Sequence, residues 1–247
     1  MFNAVIATMT RVSFESEWER VRADCALKTV ARAREHGYSI KIVDDGAPLD
    51  YIRKMESLGA QVCAQDALGL GSAVRQALRA ARDAASEDDA VVWVEPEKYP
   101  IIPLLARAID EVTGNRVDLV TFRRKSLATY PPEQAMHYEL INLAVKYLTG
   151  FDCDFSWGPM VMSRRAVEYH LGYVSDHGDL WDSVHCPKLR MIKDGLRWKV
   201  LPIDYAHPLE QSEAEAGMTL FLKKIRQVDQ LVRAIMAEVD RLGMRAP

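Results

Sequence analysis

The stretch AVVWVEPEKYP, Ala90 to Pro100, joins a short run of apolar, β-forming residues to two glutamates that follow it directly. Such a run, ended by proline and polar residues, is typical of a strand buried inside a parallel sheet. Four similar runs occur in the first half of the chain. They are Ala4 to Met9, Tyr38 to Val43, Ala60 to Ala64 and Val117 to Phe122.

Amphipathic stretches separate these runs: Phe14 to His36, Leu49 to Leu58, Ser72 to Ala85 and Pro103 to Val112. In each, apolar residues recur at steps of three and four, the spacing of one helical face. Gly37 and Gly59 follow the first two stretches, where a left-handed helix cap is expected. The alternation predicts an α/β fold with a mostly parallel sheet, helices on both faces and right-handed crossovers.

The pattern loosens after Lys125. We predict a helix near Glu133 to Leu148, a strand and helix in DFSWGPMVMSRRAVEYHLGY, a late strand in LRWKVLPIDYAHP, and a long amphipathic helix from Glu213 to Leu242. We therefore divide one domain into a nucleotide-sugar-binding half (1–125), an acceptor-side half (126–212) and a C-terminal amphipathic helix (213–247). That helix either packs on its own domain or forms a homodimer contact.

The composition is that of an ordinary globular protein. Of 247 residues, 49% are hydrophobic and 27% charged, and the net charge of -3 does not suggest a nucleic-acid partner. The four cysteines are scattered without metal-ligand spacing, which favours reduced thiols. No apolar run reaches the roughly 18 residues that a transmembrane segment requires. We expect a cytoplasmic protein.

Ligands of an open parallel sheet bind beyond the carboxyl ends of its strands, so the polar residues there are candidates. These are Thr8 to Arg11, Asp44 with Asp45, Gly69 to Arg75, and Glu95 with Glu97. Taken singly, each has an ordinary structural explanation, such as a common Asp-Gly turn or a solvated acidic turn.

The loop GLGSAVRQA, Gly69 to Ala77, matches neither a P-loop nor the GxGxxG fingerprint, which disfavours a conventional dinucleotide fold. It offers backbone N-H groups at a helix start and Arg75 one turn later, an arrangement that suits a phosphate or a uracil carbonyl. The alternative is a tight loop needed only for packing. Glu95 and Glu97 offer the hard oxygen ligands that suit Mg²⁺ or Mn²⁺ carrying a diphosphate.

Taken in order, three segments resemble the GT-A glycosyltransferases, particularly family 2 and its dolichol-phosphate-mannose-synthase-like branch. IVDDGAP (42–48) is similar to that family's VDDGS segment, GLGSAVRQALRAA (69–81) to its GLGxAxxxGxxxA segment, and VVWVEPEKYPIIPLL (91–105) falls where the family carries its DxD strand end. After Lys125 only GPMVMSRRAV and the late YAHP echo the family. The resemblance implies a GT-A fold and transfer of a sugar from a nucleotide sugar.

The resemblance also implies residue roles. Thr8 would lie against the nucleotide base, Asp45 would hydrogen-bond the base, and Arg75 would lie near the base or phosphate. Glu95 and Glu97 match the acids of the metal motif, and His207 resembles a third metal ligand of some members, although a lone loop histidine can equally be structural. Asp179 and Asp182, in HGDLWDS, stand where inverting members carry a catalytic base, but either could instead cap a helix.

The predicted site is thus a set of three groups. The donor-binding residues are Thr8, Arg11, Asp44, Asp45, Gly69, Gly71 and Arg75; the metal ligands are Glu95, Glu97 and His207; the catalytic base is Asp179 or Asp182.

The predicted reaction transfers a sugar from a UDP- or GDP-linked donor to the hydroxyl of a small-molecule or glycan acceptor, assisted by Mg²⁺ or Mn²⁺. The sequence departs from the family pattern in two places. Glutamate replaces aspartate at both metal positions, which admits a degenerate GT-A domain that only binds a ligand or partner. The QxxRW motif of processive members is absent, which argues against polymer synthesis. A sugar-nucleotide nucleotidyltransferase is the other alternative, but TMTRVSFESEW lacks the Gly-rich loop that it would carry after its first strand.

Overall fold

The structure, a computed structural model, describes residues 4–246. Its strands are β1 Ala4–Thr10, β2 Ser39–Asp44, β3 Gln61–Ala64, β4 Ala90–Trp93, β5 Leu119–Arg124, β6 Met160–Met162 and β7 Trp198–Ile203. Its α-helices are α1 Glu17–Glu35, α2 Leu49–Ser57, α3 Leu70–Ala84, α4 Ala106–Thr113, α5 Pro132–Thr149, α6 Arg164–Leu171, α7 Asp182–Lys193, α8 Leu209–Ala214 and α9 Met218–Leu242, and a 3-10 helix spans Tyr99–Leu104.

All seven strands form one sheet in the order β3-β2-β1-β4-β6-β5-β7. Neighbouring strands are parallel except at β6, which runs antiparallel to both β4 and β5. The predicted α/β class with a mostly parallel sheet is confirmed. The strand order reverses direction beside β1, whose neighbours are β2 and β4, and such a switch point opens a crevice for ligands.

Helices cover both faces of the sheet, as predicted. Side chains along a strand alternate between faces. In β1, Ile6 packs with α1, α2 and α4, whereas Val5 and Ala7 pack with α3 and α6. This two-sided burial explains why the strands read as nearly continuous apolar runs.

The C-terminal helix α9 packs lengthwise on α5 and also contacts α7. Its buried face includes Leu231, Ile235 and Val239, each contributing about 1.5–3 kcal/mol relative to exposure. The predicted helix from Glu213 is interrupted, because Gly217 has a φ of 101° and separates α8 from α9. Within residues 4–246, none of the helices combines the length and the apolar character needed to cross a membrane.

Candidate active site

A cleft of about 410 Å³ opens at the carboxyl ends of β1, β2 and β4. Its walls include Arg11 after β1, Asp45 after β2, Gly69 before α3, and Glu95 and Glu97 after β4. Residues from four separate predicted segments therefore meet at one edge of the sheet. This is the edge at which ligands of an open α/β sheet bind.

The two neighbouring aspartates after β2 have different roles. Asp44 is buried, and its carboxylate accepts hydrogen bonds from the Thr10 hydroxyl at 2.6 Å and the Ala47 N-H at 2.7 Å. It stabilises the DDGAP turn, which corrects its assignment as a ligand-binding residue. Asp45 faces the cleft and lies 3.5 Å from Arg11. Of the pair, only Asp45 keeps a carboxylate available to a ligand.

Thr8 lies within the sheet. It pairs with Ile42 of β2, is fully buried, and its hydroxyl has no hydrogen-bond partner among residues 4–246. Although β1 continues to Thr10, the residues of this stretch that line the cleft begin at Met9 and include Thr10 and Arg11. The prediction that Thr8 contacts the nucleotide base is therefore corrected, because Thr8 is buried in the sheet and does not line the cleft.

Glu95 is a buried carboxylate with an incomplete set of partners. It is 8% exposed, and its Oε2 atom has no hydrogen-bond partner in the described part of the chain. Burial raises the pKa of this carboxyl, although nearby Lys98 opposes the shift. Gly158 lies against the same carboxylate so closely that a Cβ atom there would overlap it. The fold thus holds a poorly compensated acid beside the cleft.

Glu97 is the more strongly ionised of the two glutamates. Burial alone would raise its pKa, but Arg22 and Lys98 outweigh that effect and lower the pKa to about 2. Arg22 donates to Glu97 Oε1 at 3.1 Å, while Glu97 Oε2 has no partner within the described residues. Arg22 is positioned by α1, whose first turn is fixed by a capping box between Ser16 and Glu19.

Glu95 and Glu97 are suited to a divalent metal that also binds a diphosphate. Each offers one buried carboxylate oxygen that has no hydrogen-bond partner within residues 4–246, and Mg²⁺ typically takes one or two carboxylates together with substrate phosphates. No three His, Cys, Asp or Glu side chains within residues 4–246 form a complete metal cluster. His207 is buried in a stack with Tyr130 at 4.1 Å between ring centroids, and neither of its ring nitrogens has a hydrogen-bond partner within residues 4–246; its role as a third metal ligand stays a prediction.

The glycine loop before α3 divides between the cleft and the interior. Gly69, with a φ of 108°, lines the cleft, whereas Gly71 packs against Asp179 and Ser183 and leaves no room for a side chain. Arg75 donates two hydrogen bonds to Asp179, at 2.7 and 2.6 Å. Neither Arg75 nor Asp179 lines the cleft. The pairing lowers the pKa of Asp179, whose role as a base stays a prediction that requires this pair to open.

Asp182 is a structural residue, which corrects its assignment as a candidate base. It is fully buried, and its carboxylate accepts hydrogen bonds from Tyr173, Ser175, the Leu180 N-H and Gln230. These bonds fix the turn at the start of α7. With both oxygens occupied and no access to the cleft, the carboxylate cannot receive a proton from a ligand there.

Sequence reasoning missed several residues of the cleft, among them Arg22 and Trp181. Arg22 belongs to a helix with many charges, and nothing in its spacing marks the one that reaches Glu97. Trp181 lies between the two aspartates that drew attention in HGDLWDS. The sequence signal that could have identified Trp181 was the presence of a large aromatic residue in a polar loop.

Comparison with known proteins adds solved structures. Glucosyl-3-phosphoglycerate synthase from Mycobacterium tuberculosis, in complex with Mn²⁺, UDP-glucose and phosphoglyceric acid, matches at a TM-score of 0.68 and 14% identity over 99% of this chain and 81% of that chain. The same enzyme with Mg²⁺ and UDP matches at 0.59 and 12% identity, over 99% and 81%. No protein-family model and no curated protein sequence matches this chain.

The chain has the GT-A glycosyltransferase fold. This confirms the fold inferred from the three sequence segments. Its cleft lies at the carboxyl edge of the GT-A sheet, next to two acids that follow β4. At 14% identity the likeness concerns the fold, so the roles of individual residues rest on the geometry described above.

Proposed function

We propose that this protein is a glycosyltransferase that moves a sugar from a nucleotide diphosphate sugar, preferentially UDP-linked, to the hydroxyl of an acceptor. The observation that carries the proposal is the pair Glu95 and Glu97, which border a 410 Å³ cleft at the sheet edge and each carry a buried oxygen with no partner in the described part of the chain. The matched GT-A enzyme binds UDP-glucose with Mn²⁺, which supports a similar donor here. The dolichol-phosphate-mannose-synthase-like branch and a hexose as the sugar remain predictions.

The donor would lie in the cleft. Asp45 and Arg11 are available to the base and ribose, and the N-terminus of α3 at Gly69 favours negative charge such as a diphosphate. Glu95 and Glu97 would hold Mg²⁺ or Mn²⁺ on that diphosphate. The metal would neutralise the charge of the departing nucleotide. Arg22, beside Glu97, adds a fixed positive charge at the same place.

In the reaction, the acceptor oxygen forms a bond to the anomeric carbon as the bond from that carbon to the diphosphate oxygen breaks. The nucleoside diphosphate leaves with the electron pair, and the acceptor hydroxyl gives up its proton. Electrostatic stabilisation of the leaving diphosphate is the dominant contribution. Asp179 stays a predicted base for inverting transfer, provided that Arg75 releases it.

The test is calorimetric titration of the protein with UDP and GDP, with and without Mn²⁺. We expect UDP to bind more tightly with Mn²⁺, and Glu97→Ala to reduce that metal-dependent gain by about tenfold or more. Glu56→Gln, an exposed carboxylate on α2, is the matched control and should bind as wild type. The proposal is wrong if neither nucleotide binds.

One observation favours a second candidate, a GT-A domain that binds nucleotide without transferring sugar. The ion pair between Arg22 and Glu97 occupies one of the two metal-binding acids. Release of UDP from UDP-glucose, with or without acceptor, would exclude this candidate. Stable nucleotide binding with no turnover, at saturating Mn²⁺ and with a range of acceptors, would support it.

Three further predictions concern the organisation of the domain, its location in the cell and its oligomeric state. We propose that residues 1–125 supply the donor side and residues 126–212 much of the acceptor side. A cytoplasmic location remains an expectation from the sequence. A homodimer through α9 also remains a prediction, although the helix buries one face against its own chain.

A further inference from the structure

Trp181 lies where the cleft proposed to hold the donor meets a second cavity. That cavity measures about 90 Å³, and its walls include residues of α5, α7 and α9. Four residues line both spaces: Arg22, Glu95, Glu97 and Trp181. Among the residues that the structure describes, Trp181 is the only one of this shared wall that carries no charge.

The order of the strands determines which part of a nucleotide sugar reaches the shared wall. Asp45, proposed to bind the base, follows β2, whereas Glu95 and Glu97 follow β4. With β1 between them, β2 and β4 lie about 10 Å apart. A donor with its base at Asp45 and its diphosphate at the two glutamates therefore presents its sugar at the shared wall, because the sugar is joined to the far end of the diphosphate.

The indole of Trp181 is available for contact with that sugar. The side chain is half-buried, and within residues 4–246 its N-H makes no hydrogen bond and its ring takes part in no stacking or cation–π pair. By contrast, Trp18 also lines the cleft but has Arg22 and Lys223 over its ring, at 5.6 and 5.4 Å. Tryptophan presents an apolar face and one polar N-H group. A pyranose matches both, since its C-H groups form an apolar face and its hydroxyl groups accept hydrogen bonds.

The turn before α7 fixes the position of Trp181. The Trp181 C=O accepts hydrogen bonds from the N-H groups of Val184 and His185, at 3.0 and 3.1 Å. The next residue, Asp182, is fully buried and accepts a hydrogen bond from the Leu180 N-H at 2.8 Å. Because the backbone on both sides of Trp181 is held, little conformational entropy is lost when its ring meets a ligand.

A second tryptophan supports a ligand with hydroxyl groups in the cleft. Trp93 ends β4, lines the cleft and is 1% exposed. Its indole N-H is buried and has no hydrogen-bond partner in the described part of the chain. Trp93 and Trp181 pack against the same apolar cluster, which includes Val74 and Val184. Buried donors are normally paired, so a ligand hydroxyl that accepted from Trp93 would remove the cost of the unpaired group.

We propose that Trp181 is a specificity-determining residue whose indole packs on the apolar face of the transferred sugar, and that this sugar is an uncharged pyranose. The proposal rests on the transfer reaction proposed above. A uronic acid is disfavoured, because its carboxylate would lose hydration against an indole. The nearby cation cannot compensate, since Arg22 already contacts Glu97, at 3.1 Å, and Glu215, at 3.6 Å.

The experiment is calorimetric titration of the full chain, in the presence of Mn²⁺, with UDP, UDP-glucose, UDP-galactose, UDP-N-acetylglucosamine and UDP-glucuronate. We expect one of the three uncharged sugars to give the tightest binding among the sugar nucleotides. In Trp181→Leu, the affinity for that sugar nucleotide relative to UDP should fall about threefold to tenfold, since aromatic packing contributes on that scale. Trp181→Phe keeps an aromatic face and should retain most of the ratio.

The matched control is Trp198→Leu. Trp198 is half-buried and, like Trp181, packs against the apolar clusters around Val184 and Ile235, but it lines neither of the two cavities. Thermal unfolding will confirm that the variants fold, and the ratio should stay at its wild-type value in Trp198→Leu.

Three results would overturn the proposal: an unchanged ratio in Trp181→Leu, an equal change in Trp198→Leu or in Trp181→Phe, and tightest binding of UDP-glucuronate. If UDP binds but none of the sugar nucleotides does, the role of Trp181 fails alone. If UDP does not bind either, the proposed transferase fails with it.

Discussion

Two acidic turns of this molecule have similar composition and opposite chemistry. The turn after β4 carries Glu95 and Glu97, each with one buried oxygen that lacks a partner in the described chain. The turn before α7 carries Asp179, which accepts three side-chain hydrogen bonds, and Asp182, which accepts four. A buried acceptor left unpaired costs about 1–3 kcal/mol. The first turn therefore needs a ligand, and the second is complete in itself.

The difference distinguishes residues that are available to bind a ligand from residues that stabilise the fold. Both turns offer two carboxylates a few positions apart, so residue type and spacing cannot distinguish them. The hydrogen bonds that each carboxylate makes do distinguish them. Functional sites characteristically carry such local costs in stability.

The largest effect is expected from Asp182→Ala. The substitution leaves the donors from Tyr173, Ser175, Leu180 and Gln230 without their acceptor, so the free energy of unfolding should fall by about 3–5 kcal/mol. Urea denaturation measures the loss. UDP affinity of the folded fraction should stay near that of wild type. If the variant instead has normal stability and has lost only sugar transfer, the prediction is wrong and Asp182 is a catalytic residue.

An intermediate effect is expected from a matched pair of glycine substitutions. At Gly71 the new methyl group meets Asp179 and Ser183, and at Gly158 it meets Glu95. Overpacking of this kind costs about 1–3 kcal/mol. Gly71→Ala should lower stability and leave Mn²⁺-dependent UDP binding intact, whereas Gly158→Ala should weaken that binding by displacing the Glu95 carboxylate. The test measures the free energy of unfolding and the Mn²⁺-dependent UDP affinity of both variants. If both variants change these two quantities in the same way, the proposed difference between the turns is wrong.

The smallest effect is expected from Glu95→Gln, and its sign is opposite. Because the pKa of Glu95 in the fold lies above its usual value of 4.5, folding opposes ionisation of this group. The penalty is present at neutral and alkaline pH and disappears as pH falls below the usual value. The variant should gain about 0.5–2 kcal/mol near neutral pH while losing metal-dependent UDP binding. Unfolding at pH 8 and at pH 4 should show the gain shrinking; destabilisation at pH 8 would contradict it.

The sheet was predictable because its strands are buried on both faces and read as separate apolar runs. The antiparallel direction of β6 was not predicted, since Met160 to Met162 is too short for its pattern to specify direction. The end of β1 was placed one residue early, at Met9, because Thr10 extends the strand without adding apolar length.

The candidate site was predictable where a residue directly ends a strand, as for Asp45, Glu95 and Glu97. It was not predictable where the role of a residue depends on contacts with residues outside its own segment. Asp44 differs from Asp45 only through the Thr10 hydroxyl and the Ala47 N-H. Lys223 and Lys224 lie more than a hundred residues beyond the glutamates that they approach. Contacts of that kind depend on how helices pack on the rest of the fold. Hydrophobic periodicity predicts which face of a helix is buried, but not which residues that face meets.

The position of the cavity that Glu95, Glu97, Lys223 and Lys224 line affects the order in which the molecule can be assembled on the ribosome. The edge formed by β1, β2 and β4 is encoded before residue 100, but the two lysines of α9 are encoded more than a hundred residues later. A nascent chain therefore carries the two glutamates well before Lys223 and Lys224 of the neighbouring cavity exist. The cleft and the neighbouring cavity are therefore completed at different times during synthesis.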